Sequence, residues 1–281
     1  MTNPKTYHRP KTLIDAGRLA AQPGSVAVNG GALTLSTLDL PFETVIDLQD
    51  IASLREISAQ ENGVIVGGGV MLGALAEQPG LDPVIRRALT RAVPLNVRNG
   101  LSVAESIHQL DTPMLREWLA LLTTLDVGTH WLTSQAVPVT YNMAELLAHL
   151  EAGGTLHSVL QRLDLVGYVQ HRQALGAACV ARTPSDIPIV NAAVYLRLDA
   201  EQTIDIAFAA VCGASPAPVT LVSLAIDPSL PFTAIDPQAA VAIVADQLDP
   251  VGDWHGSAEY RREMAVVCVR RALEECLERL N

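Results

Sequence analysis

Positive charge is scarce in this chain. Its 281 residues hold 19 lysines and arginines against 30 aspartates and glutamates, a net charge of −11, and Lys5 and Lys11 are the only lysines. There is no basic run, which argues against nucleic acid or an anionic membrane surface as a partner. No stretch approaches the roughly 20 uninterrupted apolar residues of a membrane span. The opening Met1-Thr2-Asn3-Pro4-Lys5 lacks the apolar core of a secretory signal, so the expected location is cytoplasmic. The four cysteines (Cys179, Cys212, Cys268, Cys276) are too far apart for a CxxC site, which excludes an iron–sulfur cluster held by this chain alone. Cys268 and Cys276 fall more than two turns apart on one expected helix and cannot bridge without unwinding it. The seven histidines form no HxxxH pattern and no His/Cys pairing, and no G-x-S-x-G elbow exists. A metal site and a serine nucleophile are therefore not expected.

What is present describes a packed globular protein. Hydrophobic residues make up 49% and charged residues 17%, enough apolar material for one large core or two to three small ones. Thr12 to Gln22 reads as a helix stopped by Pro23-Gly24, and Ser25-Val26-Ala27-Val28 as a strand breaking into Asn29-Gly30-Gly31. Strands are expected at Thr44–Leu48 and Leu54–Ser58, with Asn62-Gly63 turning the chain into Val64-Ile65-Val66. Helices follow at Met71–Ala76, Pro83–Ala92, Pro113–Leu125 and Met143–Leu150. Beyond about residue 165 the texture changes to strands at Ala178–Arg182, Ile189–Leu198 and Thr203–Val211, then helices at Pro237–Gln247 and Ser257–Leu280. That order predicts an α+β C-terminal domain with an antiparallel sheet and terminal helices.

The last helix has an N-cap at Ser257 and an acid, Glu259, in its first turn. Residues 264–269 are apolar all round and should be buried, whereas Glu275 and Arg279 have the i,i+4 order of a solvated face. Read as an ordered string, Asp253, then Gly256-Ser257-Ala258-Glu259-Tyr260-Arg261-Arg262, then Arg270-Arg271-Ala272 resembles the closing helix of the FAD-binding (medium) subunits of molybdenum hydroxylases. That family includes the medium chain of carbon-monoxide dehydrogenase and the flavin domain of xanthine dehydrogenase. The likeness continues in order through Phe42 to Leu48, Ile65 to Leu75, Val97-Arg98-Asn99 and Arg182 to Ala193. It implies an α+β chain in which residues 1–165 form a two-part FAD-binding domain, a small α/β subdomain of about 1–52 and a larger one of 53–165. Residues 166–281 are then the C-terminal domain.

In such proteins two loops hold FAD. The first is Val28-Asn29-Gly30-Gly31-Ala32-Leu33 here; its glycine pair can form an anion-binding nest, but Ala32 stands where a hydroxyl is expected. The second is Ser102-Val103-Ala104-Glu105-Ser106, with Asp111 at the position of a cofactor-fixing aspartate. Both glycines of the family's loop are replaced. A β-carbon at Ala104 narrows the backbone approach, and Glu105 puts a carboxylate where a pyrophosphate should lie. Two unit charges ~4 Å apart at an effective dielectric of ~20 repel by at most ~4 kcal/mol, roughly three decades of affinity. The lysine that often precedes the matched Arg182 is also missing, its stretch being Ala177-Ala178-Cys179. Val64 to Gly73 imitates a dinucleotide fingerprint, yet no second parallel strand ending in an acid follows about twenty residues on, so NAD is not expected.

The resemblance implies a chain with no catalytic side chain of its own. It would hold FAD, so that electrons from a molybdenum-cofactor subunit, relayed by a [2Fe-2S] subunit, reach an external acceptor. The altered second loop supports a different expectation: a homologue that has lost FAD and persists as a structural or regulatory subunit or an orphan domain. Association with a second copy is compatible with either.

Overall fold

Thr12 starts the first helix by turning its hydroxyl back to accept from Asp15 N at 3.2 Å, and the helix runs Leu13–Ala20 (α1). The computed structural model describes residues 4–29, 42–60, 63–109, 112–133, 135, 137–156, 159–166, 172–183 and 186–281. The chain divides into two compact units.

The first unit comprises Met1–Leu81, Pro94–Gln109 and Asp126–Val166. It holds two sheets. In the smaller, β1 (Thr6–His8), β3 (Thr44–Asp47) and β2 (Ser25–Val28) pair in parallel, in that spatial order, with α1 as the crossover between β1 and β2. Ala16 and Ala20 of α1 are buried with Ile46, Leu48, Ile51 and Leu54. The larger sheet is antiparallel throughout: β4 (Ile57–Gln60), β5 (Gly63–Gly67), β8 (Val159–Val166), β6 (Gly128–Leu132) and β7 (Pro138–Tyr141), in that order. Gln60 pairs with Gly63, so the hairpin expected at Asn62-Gly63 is there, although residues 61–62 lie outside the described residues. Short helices α2 (Leu72–Glu77), α4 (Leu95–Arg98) and α5 (Val103–His108) and the longer α7 (Met143–Glu151) complete the unit.

The second unit comprises Asp82–Val93, Leu110–Leu125 and Gly167–Asn281. Its sheet is antiparallel, in the order β12 (Thr220–Val222), β11 (Ile204–Cys212), β10 (Val190–Leu198), β9 (Gln173–Val180). Val190, Ala192, Val194, Leu196 and Leu198 of β10 cluster with Ala265, Cys268, Val269, Ala272, Leu273 and Cys276 of the long terminal helix α9 (Ala258–Leu280). On the alternate register, Asn191 Nδ2 donates to the carbonyl of Arg116, the first residue of α6 (Arg116–Thr124), at 3.3 Å. The central strand is covered on both sides, hence its near-continuous burial. Helix α9 comes so close to β9 that a β-carbon at Gly176 would stand 2.0 Å from Ala272 O, a position only glycine can occupy.

Several elements depart from the sequence expectations, each for a local reason. The strand expected from Leu54 starts at Ile57; residues 52–55 form a 3₁₀ turn that buries Leu54 and uses its carbonyl to accept from Gly69 N. The strand expected from Ala178 starts at Gln173, since small residues at 176–178 hide its alternation. The helix expected over Pro237–Gln247 stops at Ala240, whose carbonyl accepts from Ala225 N at 2.8 Å instead of from the next turn. Glu275 and Arg279, half-buried and exposed respectively, do not pair with each other across the helix turn. Glu275 is forked by Arg87 of α3 (Pro83–Ala92) at 2.7 and 2.8 Å; Arg279 reaches Asp82 and the Leu175 carbonyl. Of residues 264–269, Ala265, Cys268 and Val269 are buried and the others half-buried.

Candidate functional site

The expected second cofactor loop is a helix start. Ser102 is extended (φ −81, ψ 164) and α5 begins at Val103. Its hydroxyl accepts from Glu105 N at 3.2 Å, and the Glu105 carboxylate returns to accept from Ser102 N at 2.8 Å, a reciprocal capping box. The other carboxylate oxygen, Oε1, accepts from Asn29 N at 3.4 Å. Glu105 is 3% exposed. Its side chain thus joins the end of β2 to the start of α5.

The remaining donors of this turn are also used within the protein. Val103 N donates to Val70 O and Ala104 N to Gly68 O, both at 2.8 Å, and Ser106 N to Ser102 O at 2.9 Å. A helix start normally offers free N–H groups to an anion; here every backbone N–H from Ser102 to Ser106 has a partner inside the chain. Ser102, Val103, Ala104 and Ser106 are buried as well. The structure therefore brings together Val28, Asn29 and Ser102 to Ser106 of the sequence-predicted set. Gly30, Gly31, Ala32, Leu33 and Asp111 lie outside the described residues.

The glycine run at 67–69 serves packing. A β-carbon at Gly68 would stand 2.1 Å from Leu160 O, so the corner needs glycine to let β8 approach. Strand β5 pairs antiparallel with both neighbours, which leaves no parallel β–α–β unit for a dinucleotide here.

The stretch Ala177 to Cys179, which stands where the resemblance implies a lysine, is tied into an ion pair. Ala177 N donates to Glu275 Oε2 at 2.9 Å, and Arg87 Nη2 donates to Ala177 O at 3.0 Å. Among the described residues, no group of three or more His, Cys, Asp or Glu side chains could hold a metal ion. No described helix is long and apolar enough to cross a membrane.

The closing string Asp253 to Arg262 also acquires a physical role. Arg261 is 5% exposed. Its Nη1 donates to Ile189 O at 3.0 Å and Gly213 O at 2.8 Å, while Nη2 pairs with Asp253 Oδ1 at 2.6 Å. Burial opposes ionisation of Asp253, but the Arg261 hydrogen bond and the His255 and Gly256 N–H groups prevail and hold its carboxyl below the usual range. This arginine clamps two chain ends of the sheet to the start of α9.

Sequence reasoning missed the capping role of Glu105, although S-x-x-E at 102–105 is a capping-box signature readable without an alignment. It also missed Arg116, which lines a cavity with Arg261. No local pattern marks it.

This architecture is that of molybdenum-hydroxylase flavoprotein chains. Carbon monoxide dehydrogenase from Hydrogenophaga pseudoflava superposes with a TM-score of 0.81 at 19% identity, covering 99% of both chains. Quinoline 2-oxidoreductase from Pseudomonas putida gives a TM-score of 0.80 at 18% identity, covering 99% of this chain and 98% of that one. In sequence, residues 2–205 match the FAD binding domain in molybdopterin dehydrogenase, and residues 178–276 match the CO dehydrogenase flavoprotein C-terminal domain. The carbon monoxide dehydrogenase medium chain of Afipia carboxidovorans is 28% identical over 97% of this chain and 96% of its own length. The chain belongs to the FAD-binding-domain family of molybdopterin dehydrogenases.

Proposed function

We propose that this chain is a medium-type subunit that keeps the family scaffold but does not hold FAD by the two-loop mode, serving a molybdenum-cofactor and [2Fe-2S] assembly as a structural or regulatory chain. One observation carries the reading: the Glu105 carboxylate occupies the N–H groups of Ser102 and Asn29, and the rest of the turn is saturated internally. A pyrophosphate needs donors at that turn, and binding there would require breaking the capping box and moving a buried anion. Among the described residues, the donors of Asn29 and Ser102 to Ser106 do not fit the group, and no electron-transfer step through a flavin is assigned to them.

The reading is tested by a visible spectrum of the freshly purified protein and an FAD titration followed by flavin fluorescence. The expected result is no bound flavin and no quenching. Stoichiometric flavin would overturn it and restore the redox-subunit reading, in which the first loop and a rearranged second loop still hold FAD.

A further inference from the structure

The C-terminal unit contains a cavity of about 210 Å³ whose lining includes Arg116, Arg261, Asp253, Trp254, His255 and Ile187. That volume falls below the roughly 300–1,000 Å³ of sites for drug-sized ligands, so it admits a small molecule and not a dinucleotide. Arg261 and Asp253 neutralise one another at 2.6 Å, and the remaining hydrogen bonds of Arg261 go to backbone carbonyls. Arg261 Nε is buried with no partner among the described residues. The half-buried Arg116 guanidinium makes no hydrogen bond or ion pair among the described residues, and its charge reaches inward as far as the Cys212 thiol. Among the described residues, the charged side chains of the lining (Arg116, Arg261 and Asp253) therefore sum to one net positive charge, in a chain with 30 acidic and 19 basic residues.

The walls add an apolar requirement. Trp254 is 78% exposed, more than any other large apolar side chain among the described residues, and Ile187 46%. Trp254 is flanked by the Asp253–Gly256 turn, by the tilted ring of His255 with centroids 3.4 Å apart, and by Arg182 at 5.4 Å from its ring. We propose that this cavity binds a small, flat monocarboxylate, its carboxylate on Arg116 and its apolar body against Trp254 and Ile187. A guanidinium presents two parallel donors that match a carboxylate, and an aromatic wall favours a planar apolar body. One net positive charge selects a monoanion over a neutral analogue or a dianion. The inference rests on the second unit alone and stands whether or not flavin binds the first.

Benzoate titrated into the full-length protein, followed by tryptophan fluorescence, tests it. Trp118 and Trp131 are 2% and 0% exposed, so the change should come from Trp254 and disappear in Trp254→Phe. Arg116→Met, checked for native circular dichroism, should weaken benzoate by about tenfold or more, with Arg116→Lys intermediate. Benzamide, similar in shape but uncharged, should bind at least about tenfold more weakly than benzoate to the wild type. Benzamide binding as tightly as benzoate, unchanged affinity in Arg116→Met, or no benzoate binding by isothermal titration calorimetry at millimolar concentration would each overturn the proposal.

Discussion

Glu105 takes backbone donors from two distant parts of the chain, the end of a strand and the start of a helix, and so behaves as a fixed internal anion. Replacing it with alanine leaves two buried N–H groups without an acceptor, a loss of about 2 kcal/mol, the 3.4 Å Asn29 bond being the weaker of the two. At roughly 2–4 °C per kcal/mol, Glu105→Ala should melt several degrees below wild type, and Glu105→Gln, which keeps a carbonyl acceptor, less far below. A Glu105→Ala melt within a degree of wild type would show that the carboxylate links nothing. The double change Ala104→Gly with Glu105→Gly removes both the anion and the β-carbons; if the carboxylate is what excludes flavin, FAD quenching should appear in this variant and not in wild type. The electrostatic conflict at 105 and the capping box that engages its carboxylate were legible in the sequence; the second bond, from Asn29 N 76 residues away, was not. The aligned motif made 102–106 look like a loop to be read for glycines, while the Ser102/Glu105 spacing already described a capped helix.

Helix α9 is fixed to the rest of its unit by charge as well as by its apolar stripe, and this gives the second unit an acid-sensitive element. For Glu275, burial pushes the carboxyl up, but the Arg87 fork and the Ala177 N–H outweigh it, and the net displacement is downward. A lowered folded value means stability that is complete above the unfolded carboxyl value of about 4.3 and lost as pH falls through the folded value. Glu117, 1% exposed, has the opposite sign: burial raises its carboxyl despite Arg91, so its effect favours the protonated form and opposes the Glu275 term. Thermal melts of wild type and Glu275→Gln across pH 3–7 separate the two. The gap between them should be widest near neutrality and close below about pH 4; a gap independent of pH would mean the pair contributes packing alone. At this scale the long amphipathic elements were legible, α3 over its full length and α9 to within a residue, because capping residues and the 3.6 period mark their ends. Strands β1, β6, β7 and β8 were not. β6 reads Gly-Thr-His-Trp-Leu, and His130 earns its place only across the sheet, between Asp164 at 2.6 Å and Thr140 at 3.0 Å. Nothing local announces such a strand.

For the whole molecule, the thiols report on integrity. Burial pushes Cys212 and Cys268 up to about 12, Cys276 well above its ordinary value, and raises Cys179, which is less enclosed. A thiol reagent at pH 8 should therefore modify at most Cys179 in the native protein and all four cysteines in denaturant. Reaction of Cys268 or Cys276 in the native protein would contradict the packing of α9 on β9 and β10, and reaction of Cys212 the burial of the end of β11. A fragment of residues 167–281 lacks the helices at 83–92 and 116–124, and with them the Arg87 and Asp82 partners of Glu275 and Arg279. It should show no cooperative melt by circular dichroism; a sharp transition would mean that the sheet and α9 suffice. The division into units also bears on synthesis. The chain changes unit after residues 81, 93, 109, 125 and 166. As the ribosome delivers it, residues 82–93 emerge with no sheet to lie on, and their partners Glu275 and Arg279 arrive at the very end. Such long-range closure is slow, and the early segments stay exposed meanwhile. The second unit therefore cannot close over residues 82–93 until α9 has been made, an ordering that would be absent if the unit were continuous in sequence.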